Sequence, residues 1–446
     1  MGFGSGLVPG FHMNNIAAAF VANASLVIGV FGVVDRYVSG AYAPVAISCM
    51  LCSAMIAHAF SESITSTFLG IPAEDTVSVL PAHKLAKAGL GLSAVVSSAN
   101  GSIAGVVVGT VLLLPVCLVM GEPLGAYSVL KGIMGLIILS LSFVMLASDI
   151  IPLVRASAPW IRVIDKSLKA TAVFLCSGIL GLVVLRTNFS SCSIPDFPWS
   201  SRGYVPSAAL LLPLFAGLFG IPSLLLSLRS RNIVELPRAG LRRETRTVRS
   251  RDLLLSILGG IVVGWLPGMT SGSTASLCSP GSGEVEGDNE VAHALRFIWL
   301  YSAISALGAV FAVGALFTIG RARSGTMEAV STFLGDSLGS SMMSMQASAV
   351  AVILSMVTSA CISYWLIRRM GTALGRMRRL LCSRRTALAS MMFVVSLSSL
   401  LTGTRGLLLM ATAATLGLIP PRIGVRRIQL MGCLLVPIII LFLVGE

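Results

Sequence analysis

The sequence predicts an all-α polytopic membrane protein: roughly ten to twelve membrane elements in two related halves, with broken or re-entrant helices. Three observations carry that reading. Of 446 residues, 55% are hydrophobic and only 11% charged, and the mean hydropathy is +0.91; a water-facing domain carries about 25% charged residues. The apolar runs are continuous, as at 136–147, 170–185, 303–317 and 434–444, which suits helices and not the alternating strands of a barrel. Finally, the ending Gly-x-x-Pro-Gly interrupts apolar sequence twice, at 6–10 and at 264–268. Pro removes an N–H and Gly frees φ, so each copy breaks a helix. Bare backbone at membrane depth has to line a cavity or pack against protein.

Taken in order, the chain starts with only eight residues before Pro9, whereas Pro267 follows a run, 253–266, of about 21 Å as helix. That second run is too short to span and fits a half-helix or re-entrant segment. The shortfall at the first copy points to translation starting further upstream. A span is expected over 16–34 with Asn23 inside it, then another over 43–60 leading into a hydroxyl-rich run, 61–72, that ends in Gly-x-Pro. Residues 73–84 are too polar to face lipid. The stretch 90–119 holds Gly101, Ser102, Gly105 and Gly109 and suits close helix packing. Spans follow at 129–151, 170–185 and 205–228, with 188–204 read as an outer loop.

The organisation that results is a first membrane repeat over 1–228, a basic cytoplasmic linker over 229–251 and a second repeat over 252–446. Pro9 and Pro267 lie 258 residues apart. Glu62 lies 52 residues after Gly10, and Ser324 lies 56 after Gly268. Two polar breaks at near-equal spacing in each half indicate duplication.

The formal charge of +14 sits in loops: Arg155 to Lys169, Arg229 to Arg251, Arg368 to Arg385, and Arg422 to Arg427. That is the positive-inside pattern, and contact with the lipid bilayer accounts for it without nucleic acid. It places these loops in the cytoplasm and makes the acidic loop 281–290 a candidate for the outer face. The nine cysteines lie mostly in apolar runs. Cys49 and Cys52, within a span, read as small hydrophobes and not as a redox pair.

These motifs resemble the permease subunit of the tripartite tricarboxylate transporter family, TctA-like and of the archaeal type. The resemblance rests on Gly6-Leu-Val-Pro-Gly-Phe-His-Met-Asn-Asn15, Phe68-Leu-Gly-Ile-Pro72 with Leu80-Pro-Ala-His83, Gly264-Trp-Leu-Pro-Gly268, Gly320-Arg-Ala-Arg-Ser-Gly325, and Gly417-Leu-Ile-Pro-Pro421 with Gly424-Val-Arg-Arg427. It runs the length of the chain, in order. It implies a cell-membrane permease that moves a small organic anion, a di- or tricarboxylate, coupled to a cation gradient of Na+ or H+. It also implies a small membrane subunit and an extracytoplasmic binding protein, although archaeal-type members can act alone. Homo-oligomerisation stays open, and no cofactor is expected.

A carboxylate is well served by helix ends, whose unpaired N–H groups and dipole favour anions. The expected substrate site therefore joins Gly10, His12, Asn14 and Asn15 to Gly268, Thr270, Ser271 and Ser273, facing each other near mid-membrane. Arg323 is a further carboxylate clamp, whereas Arg321 reads as a lipid-headgroup anchor. Glu62 and Asp75 are the expected cation-coupling groups, since carboxylates near membrane depth tend to be functional. His58 and His83 read as structural. Two other classes stand against this. An intramembrane enzyme would need a nucleophile with a base or a metal motif. An ion channel would need equivalent groups from symmetric subunits.

Overall fold

The long spans form where apolar sequence runs unbroken for a full membrane thickness, and they stop where Gly or Pro intervenes. The computed structural model describes residues 1–7, 13–22, 24–35, 42–69, 79–155, 157–186, 207–229, 249–266, 269–278, 290–335, 342–370 and 384–445. The first part holds α1 (Gly2–Gly6), α2 (Met13–Ala22), α3 (Ala24–Asp35), α4 (Ala43–Leu69), α5 (Val79–Lys87), α6 (Gly91–Met120), α7 (Ala126–Arg155) and α8 (Trp160–Arg186). Then come α9 (Ser207–Phe215), a π turn (Ala216–Gly220) and α10 (Ile221–Arg229). The second part holds α11 (Ser250–Trp265), α12 (Ser271–Cys278), α13 (Glu290–Ile319), α14 (Gly325–Leu334) and α15 (Met342–Arg369). It ends with α16 (Arg384–Gly417), α17 (Ile419–Ile423), a 3₁₀ turn (Arg427–Met431) and α18 (Gly432–Ile440). Among the described residues, seven helices are long and apolar enough to cross a membrane, and two shorter apolar pieces, Leu210–Leu226 and Arg427–Leu443, accompany them. The all-α polytopic architecture follows.

α13 is the buried centre: from Phe297 to Leu316 nearly every side chain is covered. α6 lies along it in parallel and in register. Gly101 abuts the Trp299 carbonyl, Gly105 the Ala303 carbonyl, and Gly109 Val310. Without side chains at these positions the backbones approach closely, the geometry that drives helix association in lipid. α11 is also parallel to α13, with Gly260 against Leu307 and Gly264 against Phe311. α4 and α15 form a second parallel pair, in which Ser355 and Ser359 donate to the carbonyls of Cys49 and Ser53. Phe68 near the end of α4 touches Gly91 at the start of α6, so α4 runs opposite to α6 and α13.

These directions fix two faces of the bundle. α6, α11 and α13 begin at one face, where α4, α7 and α15 end. Arg155, Arg249, Arg251, Arg368 and Arg369 all sit at that face, so it is the basic one. Of the acidic run 281–290 only Glu290 is among the described residues; it opens α13 at the basic face, 3.9 Å from Lys84 of α5. The reason is that α11 and α13 are parallel, pinned at this end by Arg296 donating from Nε to Asp252 at 2.7 Å.

Around this core, α8 packs on α18 at Gly178, Gly181 and Gly432, and the π turn packs on α16 at Gly217. α16 carries a kink at Gly403, whose φ of 63° is open to Gly alone at no steric cost. The bundle's outside is apolar, with Val111, Leu114, Phe143, Ile161, Leu168 and Leu408 exposed as a lipid-facing surface requires.

Candidate functional site

Two short helix pairs enter the bundle without crossing it. α11 runs inward from the basic face for 16 residues, about 24 Å at 1.5 Å per residue. The chain turns at Leu266, and α12 returns beside α11, with the Cys278 thiol near the Leu255 carbonyl and Thr274 against Gly259. The other pair is α1 and α2. Gly2 lies against Ala54 and Gly6 against Ser61, so α1 runs with α4 from the opposite face; α2 turns back to pack Met13 and Ile16 on Ala54. Pro9, Gly10, His12, Pro267 and Gly268 lie outside the described residues, as does Asp75; so does the side chain of Asn15.

The polar residues at these turns have definite partners. Thr270 and Ser273 cap α12 reciprocally: the Ser273 N–H donates to Thr270 Oγ1 at 3.2 Å and the Thr270 N–H to Ser273 Oγ at 3.1 Å. This is a capping box with Ser in the place of the usual Glu. Ser271 is half-buried at the first turn of the same helix. Asn14 reaches across to the other half of the chain. Its Oδ1 accepts from the Thr326 N–H and from Thr326 Oγ1, each at 3.1 Å. Ser324 caps α14 alongside it, accepting from the Met327 N–H. α13 itself stops at Gly320, with φ +65°, whose N–H returns to the Leu316 carbonyl.

Arg323 lies in the link between α13 and α14, at the face opposite the basic loops. Its Nη2 donates to the Tyr127 hydroxyl at 2.9 Å, and its guanidinium stands 5.5 Å from the Tyr127 ring centroid. Burial pulls its pKa below the ordinary arginine value, opposed by Tyr127, and an arginine so placed keeps its charge near neutral pH. Tyr127 in turn stacks at a tilt on Trp265, the last residue of α11, with centroids 6.3 Å apart. The stretch from Arg323 to Thr326 thus links α2 and α11, touching Asn14 on one side and, through Tyr127, Trp265 on the other. Arg321, two residues away, is exposed.

Glu62 sits elsewhere, on α4. The hydroxyl-rich run continues α4 as helix to Leu69, with Ser63 donating back to the Phe60 carbonyl and Ser66 to that of Ser63; the Gly-x-Pro expected to break it, 70–72, lies outside the described residues. Thr65 also donates to the Gly6 carbonyl, tying α4 to α1. Glu62 opens on a cleft between α4, α6 and α13 lined by Ser66, Ser98, Ser102, Ser302 and Ser305. Behind it, His58 places Nε2 3.7 Å from the carboxylate and Nδ1 2.9 Å from Ser5 Oγ. His83 bonds the Thr67 carbonyl at 3.1 Å. Both histidines therefore have structural partners.

Sequence reasoning missed Tyr127, Trp265 and the serine cleft. Ser98 with Ser102, and Ser302 with Ser305, recur at helical spacing inside apolar spans, and that was the available signal. It also missed Asp149, fully buried in α7, which accepts from the Arg426 N–H at 3.1 Å and from Gln429 Nε2 at 2.6 Å. This carboxylate fastens the 3₁₀ turn to α7.

A bundle of apolar spans penetrated by two short helix pairs, with a hydroxyl-lined cleft beside them, defines a multi-pass membrane protein of the transporter class. The chain belongs to the Tripartite tricarboxylate transporter TctA family, whose family model matches residues 1–432. It is therefore a permease-type subunit from a family of transporters that work with further components. The chain is also similar to an uncharacterized protein of Methanocaldococcus jannaschii, 27% identical over 328 residues, which covers 73% of this chain and 68% of that protein. No solved structure matches.

Proposed function

We propose that the protein is a secondary transporter of the cell membrane that moves an organic anion, a di- or tricarboxylate, coupled to a cation, Na+ or H+. The observation that carries this reading is the pair of half-helices entering from opposite faces, α1 with α4 and α11 with α13. Their turns hold Asn14 on one side and Thr270, Ser271 and Ser273 on the other. Helix ends of this kind offer N–H groups and a positive dipole to an anion. Glu62, in a cleft of serine hydroxyls, has the chemistry of a cation or proton site: one carboxylate with neutral oxygens around it.

The same pairings support an inverted duplication of 1–228 in 252–446, joined by the linker 229–251. The family supports a small membrane subunit and an extracytoplasmic binding protein as partners. The test is uptake of labelled citrate and succinate into proteoliposomes under imposed sodium or proton gradients. Gradient-dependent accumulation is expected; a full set of carboxylates with no accumulation under either gradient would overturn the reading.

A further inference from the structure

We propose that Arg323, Tyr127 and Trp265 form a carboxylate receptor at the outer mouth of the transport path, a site that selects the anion before it reaches the helix turns. The inference rests on the transporter reading above and adds to it the residues that recognise the anion on arrival.

Three donor-bearing side chains gather at the Tyr127 ring, with the Arg323 guanidinium 5.5 Å and the Trp265 ring 6.3 Å from its centroid. Trp265 is 1% exposed and its indole N–H has no acceptor among the described residues. The Arg323 Nε–H is buried and likewise without an acceptor among them. The Tyr127 oxygen accepts from Arg323 Nη2, which leaves its own proton to donate. Buried donors are nearly always paired in folded proteins, so unpaired ones clustered on one ring mark a place where a ligand's acceptors belong. A guanidinium with a free Nε–H presents a planar fork that matches a carboxylate. The aromatic pair adds donors without adding a competing negative charge.

Position supports the same conclusion. Arg323 lies at the face opposite the basic loops, in the link that touches Asn14 through Thr326. An anion held by Arg323 therefore sits three residues from the Thr326 contact to Asn14 of α2 and, across Tyr127, beside Trp265 at the end of α11. Exposed Arg321, two residues earlier, provides a built-in control for general surface charge.

The experiment is a titration of the purified full chain, in phosphatidylcholine nanodiscs, with citrate, succinate and acetate, read by tryptophan fluorescence and by calorimetry. The same variants are then reconstituted for citrate uptake. Arg323→Gln is expected to weaken citrate binding about 30-fold, near 2 kcal/mol at 1.4 kcal/mol per tenfold. Arg323→Lys restores part of it, since an ammonium lacks the fork. Tyr127→Phe and Trp265→Phe each cost roughly 3- to 10-fold by calorimetry, with Trp265→Phe also removing most of the fluorescence change. Arg321→Gln binds as wild type.

Wild-type affinity in Arg323→Gln, or an equal loss in Arg321→Gln, overturns the proposal while transport by the unaltered protein leaves the functional reading standing. If the unaltered protein neither binds nor moves any carboxylate, the functional reading fails first and this one with it. Should Arg323→Gln not yield monodisperse protein, Tyr127→Phe and Trp265→Phe decide: weakened binding supports the receptor, and unchanged binding overturns it.

Discussion

The two ends of the α6–α13 pair are built from the same kind of sequence and do opposite things. Away from the basic face the seam is dry: Gly105 lies under the Ala303 carbonyl and Gly109 under Val310. Toward the basic face the seam stays closed at Gly101, under the Trp299 carbonyl, but hydroxyls border it on the α4 side, with Ser98 and Ser302 hydrogen-bonded at 2.8 Å and Glu62 of α4 opening onto them. Small residues serve both regions, yet a hydrogen in place of a side chain closes a seam, whereas a hydroxyl keeps it wettable. The lesson is that one helix pair can stay close-packed along its seam and still border a hydroxyl-lined cleft.

The sharpest way to break the comparison is to fill the dry end. A Cβ at Gly105 would stand 2.5 Å from the Ala303 carbonyl oxygen, which is backbone and cannot swing away. Gly105→Val is therefore expected to cost about 3 kcal/mol or more, at the upper end of overpacking effects. A melting curve in detergent and the yield of monodisperse protein would show it; a wild-type midpoint would mean the seam is not close-packed. The wet end is tested by Glu62→Gln. This substitution keeps size and removes charge at a half-buried position. Expected are a normal melting midpoint, at least a tenfold loss of gradient-driven uptake, and retention of carboxylate exchange in the absence of a gradient. Unimpaired gradient-driven uptake would remove Glu62 from the coupling site.

Much of this arrangement could be read before any coordinates. The apolar runs gave the spans, and the Gly101, Gly105 and Gly109 series gave a close-packed helix face, because membrane helices leave few other uses for small residues at i, i+4 spacing. The short run before Pro267 gave a half-helix from length alone. What stayed hidden depended on residues far apart in sequence. Nothing local tells that Arg323 would find Tyr127, 196 positions earlier, or that Asn14 would cap Thr326, 312 positions later. Glu290 shows the same limit: its place at the basic end of α13, near Lys84, is set by the parallel packing of α11 on α13 and not by local sequence. The hydroxyls of 61–67 turn inward on their own helix, as Ser63 does to the Phe60 carbonyl, which composition alone does not reveal.

The contact between Asn14 and Thr326 offers a smaller effect. Asn14→Ala strips the acceptor from the buried Thr326 N–H and hydroxyl, which is expected to cost about 1–2 kcal/mol and to raise the KM for carboxylate uptake. Asn14→Asp keeps the acceptor and is expected to restore the melting midpoint. If Asn14→Ala melts and transports as wild type, the link from Thr326 to the first hairpin has no energetic weight.

The finest probe returns to the serine pair at the wet end. Removing one hydroxyl, as in Ser98→Ala, leaves the buried Ser302 hydroxyl without its partner and is expected to cost about 1 kcal/mol, whereas removing both is expected to be nearly neutral. Melting midpoints of the two single variants and the double variant form a cycle that isolates the pair. A double variant that loses the sum of both singles would mean that each serine is held by something other than its neighbour. The compensating outcome would instead locate their purpose in transport: the double variant, stable but with a cleft lined by fewer oxygens, should take up carboxylate with a weaker dependence on the driving ion. That combination, stability kept and coupling reduced, is what separates a hydroxyl retained for an ion from one retained for packing.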